Sequence, residues 1–559
     1  MILPVLPLIH TQQNLAASAI MQSFFTDPYR FEPFNLTIFV SYLVVFGILS
    51  IYGLHRGWMV YTYLRWRRNV PGAASGRIAW PTVTVQLPLY NERFVVERLL
   101  DAVAHLDYPR ELLKIHLLDD STDDTRELAR ACVQQWQARG VPIHYTHRGH
   151  RTGFKAGNLA EGLKMATGEL IAYFDSDFVP PPDFLRRLVP YFEDQGIAMV
   201  QARWTYLNGN YSVLTKVETM MQDGHFAIEQ GARARSGAFF IFNGTAGVWR
   251  RSAIEDAGGW EQDTLTEDTD LSYRAQLRGW RFLYLPFVEC PSELPVEMTA
   301  FKAQQARWNK GLIQTAKKLL PRIFTSDVPV RAKAEAFFHL TGAISSPLML
   351  ALSMLLLPTS IVRASHRQFQ SIWIDMPGIL STIAIVAFYV VSQRSLSPRV
   401  WIRSMLYLPL LIALGIGISL SNTKAVFEGL FGIRSDFVGT PKYNLNDQSA
   451  MWSCRQSRNS SGWFPVLEIA FGLYYVLLFA YVLQTRNYLI APFVFLFVSG
   501  FLYCGVMSLG QTWWRLRRGP RTQTAASPDV KPAVPAEAFP PQLLDSASAV
   551  ESGSDSPGV

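Results

Sequence analysis

The sequence predicts an α/β domain set between membrane-spanning α-helices, and three observations support this. Apolar strand patterns alternate with helical patterns in the middle of the chain, which is typical of a mostly parallel sheet. The stretch from about 76 to 323 carries most of the acidic residues and no apolar run that could span a bilayer, whereas the flanks contain several. At 559 residues the chain also exceeds one compact domain.

Composition argues against several other classes of protein. Lys and Arg number 52 against 44 Asp and Glu, but the excess clusters at the ends of apolar runs, as at Arg65, Arg67, Arg68, Arg515, Arg517, Arg518 and Arg521. That placement is typical of membrane proteins, and we expect no nucleic-acid partner. The four cysteines lie far apart, so no zinc site or disulfide framework follows. No Lys or Arg precedes Arg30, and we expect no cleaved signal peptide.

Six apolar runs are long enough to matter for the membrane topology: 36–60, 337–362, 379–391, 401–420, 463–483 and 489–509. Arg-rich segments follow the first and the last run, so both of these segments should be cytoplasmic. Only an even number of crossings fits between them, although five runs are available. Basic residues lie on both sides of 401–420, which we therefore expect to be an interfacial helix. Six crossings under a weaker charge rule is the alternative.

The resulting domain organisation has five parts. Residues 1–75 hold the first membrane helix, 76–310 a cytoplasmic domain, 311–333 an amphipathic interfacial helix, and 334–517 the remaining membrane region, which includes a loop at 434–446. The segment 518–559 is rich in Pro, Ser and Ala and is predicted to be disordered. This arrangement indicates an integral protein of the plasma or inner membrane.

Acidic residues follow the predicted strands of the central domain. Strands expected at 82–87, 113–118, 142–145 and 170–174 would end near Asp120 and near the pair Asp175 and Asp177. Ligands bind at the carboxyl ends of strands in such sheets, and carboxylates there can hold Mg²⁺ or Mn²⁺. A solvated turn is the alternative explanation for the Asp pair, because Asp and Ser favour turns, and this motif alone is a weak sign of a metal. Likewise, Glu267 and Asp268 could simply offset a helix dipole, and Arg307 with Trp308 could be ordinary membrane-proximal residues.

Five motifs in order resemble those of the processive family-2 glycosyltransferases of the cellulose-synthase superfamily. They are D-D-S-T-D at 119–123, K-A-G at 155–157, D-S-D at 175–177, T-E-D at 266–268 and Q-x-x-R-W at 304–308. The likeness is strongest to plant cellulose-synthase-like enzymes that make (gluco)mannan or the xyloglucan backbone, and it covers roughly Val83–Gly311. It implies a GT-A domain, a Rossmann-like fold that binds nucleotide sugars.

The resemblance also implies residue roles. Asp120, Tyr90, Glu92 and Lys155 would bind the nucleotide-sugar donor, and Asp175 and Asp177 would hold a divalent metal, Mg²⁺ or Mn²⁺. Asp268 would be the general base that takes the proton from the acceptor hydroxyl. An acceptor and diphosphate platform would comprise Glu267, Gln304, Arg307 and Trp308.

A segment in the C-terminal region resembles the gating loop of cellulose synthases in its Phe437, Thr440 and Lys442 spacing. The family places that loop over the donor on the cytoplasmic side, which agrees with the charge-based topology. Gly439 and Pro441 depart from the family pattern, and Pro stiffens a loop. A packed loop anchor is the competing interpretation.

The function expected from these observations is the inverting transfer of a hexose to a growing β-1,4-linked polysaccharide. The polymer would be exported through the membrane. Transfer of one sugar to a membrane lipid and a non-catalytic scaffold are the competing hypotheses. GDP-mannose and UDP-glucose both remain open as donors, because guanine and uracil each offer a ring N–H to a carboxylate. Expected partners are the donor, the polysaccharide acceptor and the bilayer, and accessory subunits are left open.

Overall fold

The structure is a computed structural model, which describes residues 32–72, 79–365, 371–433, 439–448, 462–486, 488 and 490–518. The described part of the chain up to Trp514 forms one compact unit. A central sheet with its covering helices occupies the middle of this unit, and long apolar helices come before and after it in the chain.

The centre of the fold is a seven-stranded mixed sheet. Its strands are β1 Val83–Leu89, β2 Leu113–Asp119, β3 Ile143–His147, β4 Leu170–Tyr173, β5 Ile197–Tyr206, β6 Gly247–Arg250 and β7 Arg281–Ser292. They are ordered β3-β2-β1-β4-β6-β5-β7. All neighbours are parallel except β6, which runs antiparallel to both β4 and β5. The carboxyl ends of six strands therefore meet at one edge.

Helices cover both faces of the sheet, so its strands are apolar on both sides. Val85, Leu87 and Ile115 pack in one core, whereas Ile171 and Trp249 pack in another. The helices of this domain are Val96–Ala104, Thr125–Ala138, Phe154–Met165, Phe184–Leu188, Val213–Gly224, Gly231–Ser236, Arg251–Asp256, Glu267–Leu277 and Met298–Thr325. The α/β fold predicted from the sequence is confirmed, including the four predicted strands.

Within the described part of the chain, five helices are long and apolar enough to cross a membrane: Pro33–Trp66, Val330–Ser365, Ile372–Leu396, Phe464–Gln484 and Ala491–Trp514. Each contains, nearly in full, one of the five runs predicted to cross. The sixth run forms a helix pair, Trp401–Gly417 and Ser419–Phe431, bent by 46°. Such a bend suits a broken span or a re-entrant segment, so an interfacial position for 401–420 stays a prediction, as does the cytoplasmic side of the central domain.

The helix Met298–Thr325 connects the central domain to the membrane region. It runs without a break through position 311, where the interfacial segment was expected to begin. Its Lys302 ammonium lies 2.7 and 2.8 Å from the two oxygens of Glu468, and its Lys310 lies 2.9 Å from Glu428. Glu468 is fully buried, so loss of Lys302 would leave an uncompensated charge in the interior, which is strongly destabilising. These pairs fix the helix against the helices Phe464–Gln484 and Ser419–Phe431.

Candidate active site

The carboxyl edge of the sheet brings two of the predicted motifs into contact. Asp175 follows β4 by two residues, and its backbone N–H donates to the Thr245 hydroxyl over 2.9 Å. The Lys155 ammonium lies 2.6 Å from Asp175 Oδ1 and donates to the Gly244 carbonyl over 3.1 Å. Lys155 therefore joins the K-A-G helix, the D-S-D turn and the loop before β6 at one point.

Asp268 lies in the first turn of the helix Glu267–Leu277, and its Oδ1 accepts the Thr269 N–H over 2.7 Å. Its Oδ2 points to Gly244, where an added Cβ would lie only 2.9 Å from that oxygen. Gly244 has a φ of +80°, which an L-residue adopts with strain. A glycine at this position therefore lets the loop pass directly beside the predicted base.

Burial controls the protonation of the acidic groups around Asp268. Burial raises the pKa of Asp268, although Lys155 opposes the shift. Burial likewise raises the pKa of Glu267 to about 7, again against the effect of Lys155. A base needs an elevated pKa to accept a proton efficiently near neutral pH, so the environment suits Asp268 for that role.

Two cationic side chains balance these carboxylates. Burial alone would lower the pKa of Lys155, but Asp175, Glu267 and Asp268 outweigh it and raise the pKa. Burial lowers the pKa of Arg307, which Glu267 and Asp175 oppose. Arg307 comes from the helix Met298–Thr325, so the Q-x-x-R-W motif shares an electrostatic environment with the other two motifs.

The helix that carries Q-x-x-R-W packs directly against the T-E-D turn. A Cβ at Gly311 would lie 2.4 Å from the Thr266 methyl group, and Gln314 accepts the Leu265 N–H over 2.9 Å. Gln304 Oε1 is buried and has no hydrogen-bond partner among the described residues, while Trp308 is half-buried. An unpaired buried acceptor is costly, which favours a ligand at this position.

Two arginines that were not predicted as site residues lie beside Asp120 and Tyr90, where the nucleotide was predicted to bind. Arg148 bonds both carboxylate oxygens of Asp120, at 2.7 Å from Nε and 2.5 Å from Nη2. Arg151 places its guanidinium 3.3 Å from the centre of the Tyr90 ring. Both follow β3 in the R-G-H-R stretch just before K-A-G, and their position after a strand end was the available signal.

The described part of the gating-like loop, 439–446, lies against the central domain. Lys442 is 2.6 Å from Asp177 Oδ2. The Tyr443 N–H and hydroxyl donate to Glu293 over 2.7 Å and to Glu297 over 2.6 Å. Thr440 is buried, whereas Phe437 lies outside the described residues. Burial raises the pKa of Glu92, which faces Lys442 and Asp177, to about 7.

Two acidic groups are candidates for a divalent cation. Asp175 and Asp177 supply hard oxygen ligands, and each has committed one oxygen to a lysine, Oδ1 and Oδ2 respectively, which leaves the other available. These residues fit a metal that also uses substrate phosphates. A second group, Glu261, Asp263 and Asp270, has carboxylate oxygens within 4.8 Å of one another and could hold a metal.

The second acidic group is already compensated by basic side chains. Lys318 lies 2.8 Å from Asp263 and 2.9 Å from Asp270, and Arg274 lies 2.7 Å from Asp270. A cation there would have to displace the ammonium, so the pair at the end of β4 is the better candidate. The edge therefore combines a buried carboxylate, two cationic side chains and two carboxylates that could hold a metal on a GT-A-like sheet, which is a set of groups that suits nucleotide-sugar transfer.

Comparison with known proteins agrees with this class. The family model described as "Glycosyltransferase like family 2" matches residues 81–311. The chain is 33% identical over 456 residues to glucomannan 4-beta-mannosyltransferase 9 of Arabidopsis thaliana, covering 77% of this chain and 82% of that protein. The chain therefore belongs to the family-2 glycosyltransferases, in the cellulose-synthase-like group that includes the glucomannan 4-beta-mannosyltransferases.

Other relatives match over shorter lengths. Glucomannan 4-beta-mannosyltransferase 1 of Oryza sativa subsp. japonica is 41% identical over 295 residues, which cover 51% of this chain and 57% of that protein. The matched part is thus about half the length of that relative. Among solved structures, a Pyrobaculum calidifontis mannosyltransferase in complex with GDP-Man and Mn²⁺ is 21% identical, with a TM-score of 0.49, covering 71% of this chain and 100% of that chain.

Proposed function

We propose that this protein transfers mannosyl units from GDP-mannose to the 4-hydroxyl of a growing β-linked mannan or glucomannan. The observation that carries the proposal is the convergence of Lys155, Asp175 and Asp268 on the loop at Gly244. The relatives named as glucomannan 4-beta-mannosyltransferases favour mannose as the transferred sugar. Of GDP-mannose and UDP-glucose, only GDP-mannose supplies a mannosyl group.

The reaction is a single displacement at the anomeric carbon. Asp268 accepts the proton of the acceptor hydroxyl as its oxygen attacks, and base catalysis of this kind typically contributes about 10²–10⁴-fold. One base suffices for one inversion, so an α-linked donor gives a β-linked product. Trp308 offers an apolar ring face for the acceptor sugar.

Negative charge develops on the departing nucleoside diphosphate. Arg307 and Lys155, whose charges already interact with Asp175, Glu267 and Asp268, would stabilise it electrostatically. Asp175 and Asp177 would hold Mg²⁺ or Mn²⁺, which supplies Lewis-acid stabilisation of the same charge when bound. Asp120, oriented by Arg148, accepts a ring N–H of the guanine. Tyr90 and Glu92 line the rest of the nucleotide-binding part of the site.

The membrane arrangement completes the proposal. Five candidate spans and the bent helix pair adjoin the central domain. This domain faces the cytoplasm, where it binds the nucleotide sugar. The product leaves through the membrane region. The loop residues 439–446, which place Lys442 2.6 Å from Asp177, lie on the donor side of the site. Transfer to a single lipid acceptor is the second candidate, and it uses the same residues with a different acceptor.

The test uses the full chain in lipid nanodiscs, supplied separately with labelled GDP-mannose and UDP-glucose. Mannose incorporation that EDTA abolishes and Mn²⁺ or Mg²⁺ restores is the expected result. Asp175→Ala should raise the metal concentration needed for half-maximal donor binding, whereas the matched variant Asp263→Ala, in the second acidic group, should not. Glucose incorporation alone would overturn the donor assignment, and a shift confined to Asp263→Ala would overturn the metal assignment.

A further inference from the structure

A π-helical turn, His225–Gln230, interrupts the helical segment that runs from Val213 to Ser236. Such turns are rare and frequently occur at functional sites, because the extra residue costs stability and redirects side chains. The proposed reaction assigns no role to this turn. Two of its residues, His225 and Glu229, nevertheless link the first membrane helix to the loop beside Asp268.

The link consists of consecutive polar contacts. Arg56, on the helix Glu32–Trp66, forms an ion pair with Glu229 Oε1. Glu229 Oε2 lies 3.2 Å from His225 Nδ1, and His225 Nε2 lies 2.9 Å from Asn243 Oδ1. Asn243 is also tied to the sheet, since its N–H donates to Gln201 Oε1 over 3.0 Å. His225 therefore bridges a membrane helix and the loop before β6.

That loop carries the closest approach to the reacting groups. Asn243 directly precedes Gly244, whose carbonyl accepts from Lys155 over 3.1 Å and whose Cα faces Asp268 Oδ2. The following residues continue the contact, because the Thr245 hydroxyl accepts the Asp175 N–H over 2.9 Å. A displacement of Asn243 would therefore move the partners of Lys155, Asp175 and Asp268 together.

The proton count at His225 fixes the orientation of the Asn243 amide. Burial lowers the pKa of His225 to about 4, so the imidazole is neutral at pH 7 and carries one N–H. The Glu229 carboxylate can only accept, and it takes the Nδ1–H. Nε2 is then an acceptor and cannot bond the Asn243 Oδ1 that faces it, whereas Asn243 Nδ2 is buried with no partner among the described residues. Turning the Asn243 amide end for end gives Nε2 the NH₂ donor that it requires. The two ends of an amide are alike in shape, so this hydrogen bond decides which end faces His225.

We propose that His225 is a positioning residue, which holds the Asn243–Gly244 turn against the base Asp268 and ties that turn to the first membrane helix. The inference rests on the proposed function, since it concerns the geometry of the same transfer step. His225 touches neither Asp268 nor Lys155 in the described contacts, so its effect is on the placement of these groups.

The experiment compares steady-state transfer from GDP-mannose by the full chain in nanodiscs, with thermal unfolding measured on the same samples. His225→Phe keeps the ring but removes both hydrogen bonds. His225→Gln keeps one acceptor and one N–H donor for Asn243 and Glu229. His116→Phe is the matched control, because His116 is another buried histidine of the domain, on β2. Arg56→Met tests the link from its membrane end.

A misplacement of about 1 Å can cost about 10²-fold in rate. His225→Phe should therefore lower kcat by about 10-fold to 10²-fold with donor KM within about twofold, and His225→Gln should recover part of the loss. Arg56→Met should lower kcat in the same direction by less, while His116→Phe leaves it unchanged.

Three results would overturn the inference. The first is a kcat that is unchanged in both His225→Phe and Arg56→Met. The second is a loss of kcat in His225→Phe that is explained by a lower unfolding temperature. The third is an equal loss of kcat in His225→Phe and His225→Gln. If His225→Phe fails to fold, Arg56→Met and His225→Gln decide the matter. A wild-type protein that transfers no mannose would instead overturn the proposed function and, with it, this inference.

Discussion

Gly244 offers a sharp test of how closely the active-site turn approaches the base. A Cβ at Gly244 would lie 2.9 Å from Asp268 Oδ2 and 3.5 Å from Lys155 Nζ, and the backbone φ is +80°. Gly244→Ala therefore has two effects: backbone strain of about 1–2 kcal/mol in unfolding free energy, and a forced shift of the Asp268 carboxylate by a few tenths of an ångström. The second effect falls on the chemistry rather than on stability.

Gly237→Ala separates the two effects. Gly237 has a φ of +73° but nothing within 4 Å of its would-be Cβ, so this variant carries only the strain. Both variants should lose about 1–2 kcal/mol of stability, measured by denaturation in detergent. Only Gly244→Ala should lose kcat, by about 10-fold or more. Equal kcat values for the two variants would refute the close approach that we assign to this turn.

The remaining predictions concern the base, the loop and a buried acid. Asp268→Asn should lower kcat by about 10²–10⁴-fold while nucleotide affinity, measured by calorimetry, stays within about threefold; normal turnover would exclude Asp268 as the base. Lys442→Ala should weaken turnover by removing the contact with Asp177, whereas the exposed Lys424→Ala should not; identical kinetics would favour a loop anchor. Burial raises the pKa of Asp223 to about 6, so wild-type stability should fall as pH rises from about 4 to 6, and Asp223→Asn should reduce that slope; parallel curves would contradict it.

The sheet was predictable from local patterns where the strands are short, apolar and bounded by turns. β1 to β4 follow that form, and their predicted ends place Asp120 and Asp175 at one edge, as observed. β5, β6 and β7 were not predicted as strands. β6 is antiparallel between β4 and β5, and no local pattern specifies that pairing, because it depends on a long connection through the helix Val213–Gly224.

The motif residues were identifiable from the sequence, but their partners were not. Nothing local indicates that Arg148 bonds both oxygens of Asp120, or that Lys155 contacts Asp175 and Gly244, since these contacts join residues far apart in the chain. The same holds for the pair Lys302 and Glu468. Glu468 lies in an apolar run, and only the packing of two helices that are distant in the chain brings Lys302 to it.

The most direct test of the central claim is the linkage of the product. The full chain in nanodiscs would be given labelled GDP-mannose with Mn²⁺, and the product would be sized and digested with an endo-β-1,4-mannanase. The account predicts a long mannanase-sensitive polymer, absent with Asp268→Asn. Label that extracts into organic solvent as a single sugar on lipid, or a polymer that resists mannanase, would contradict it.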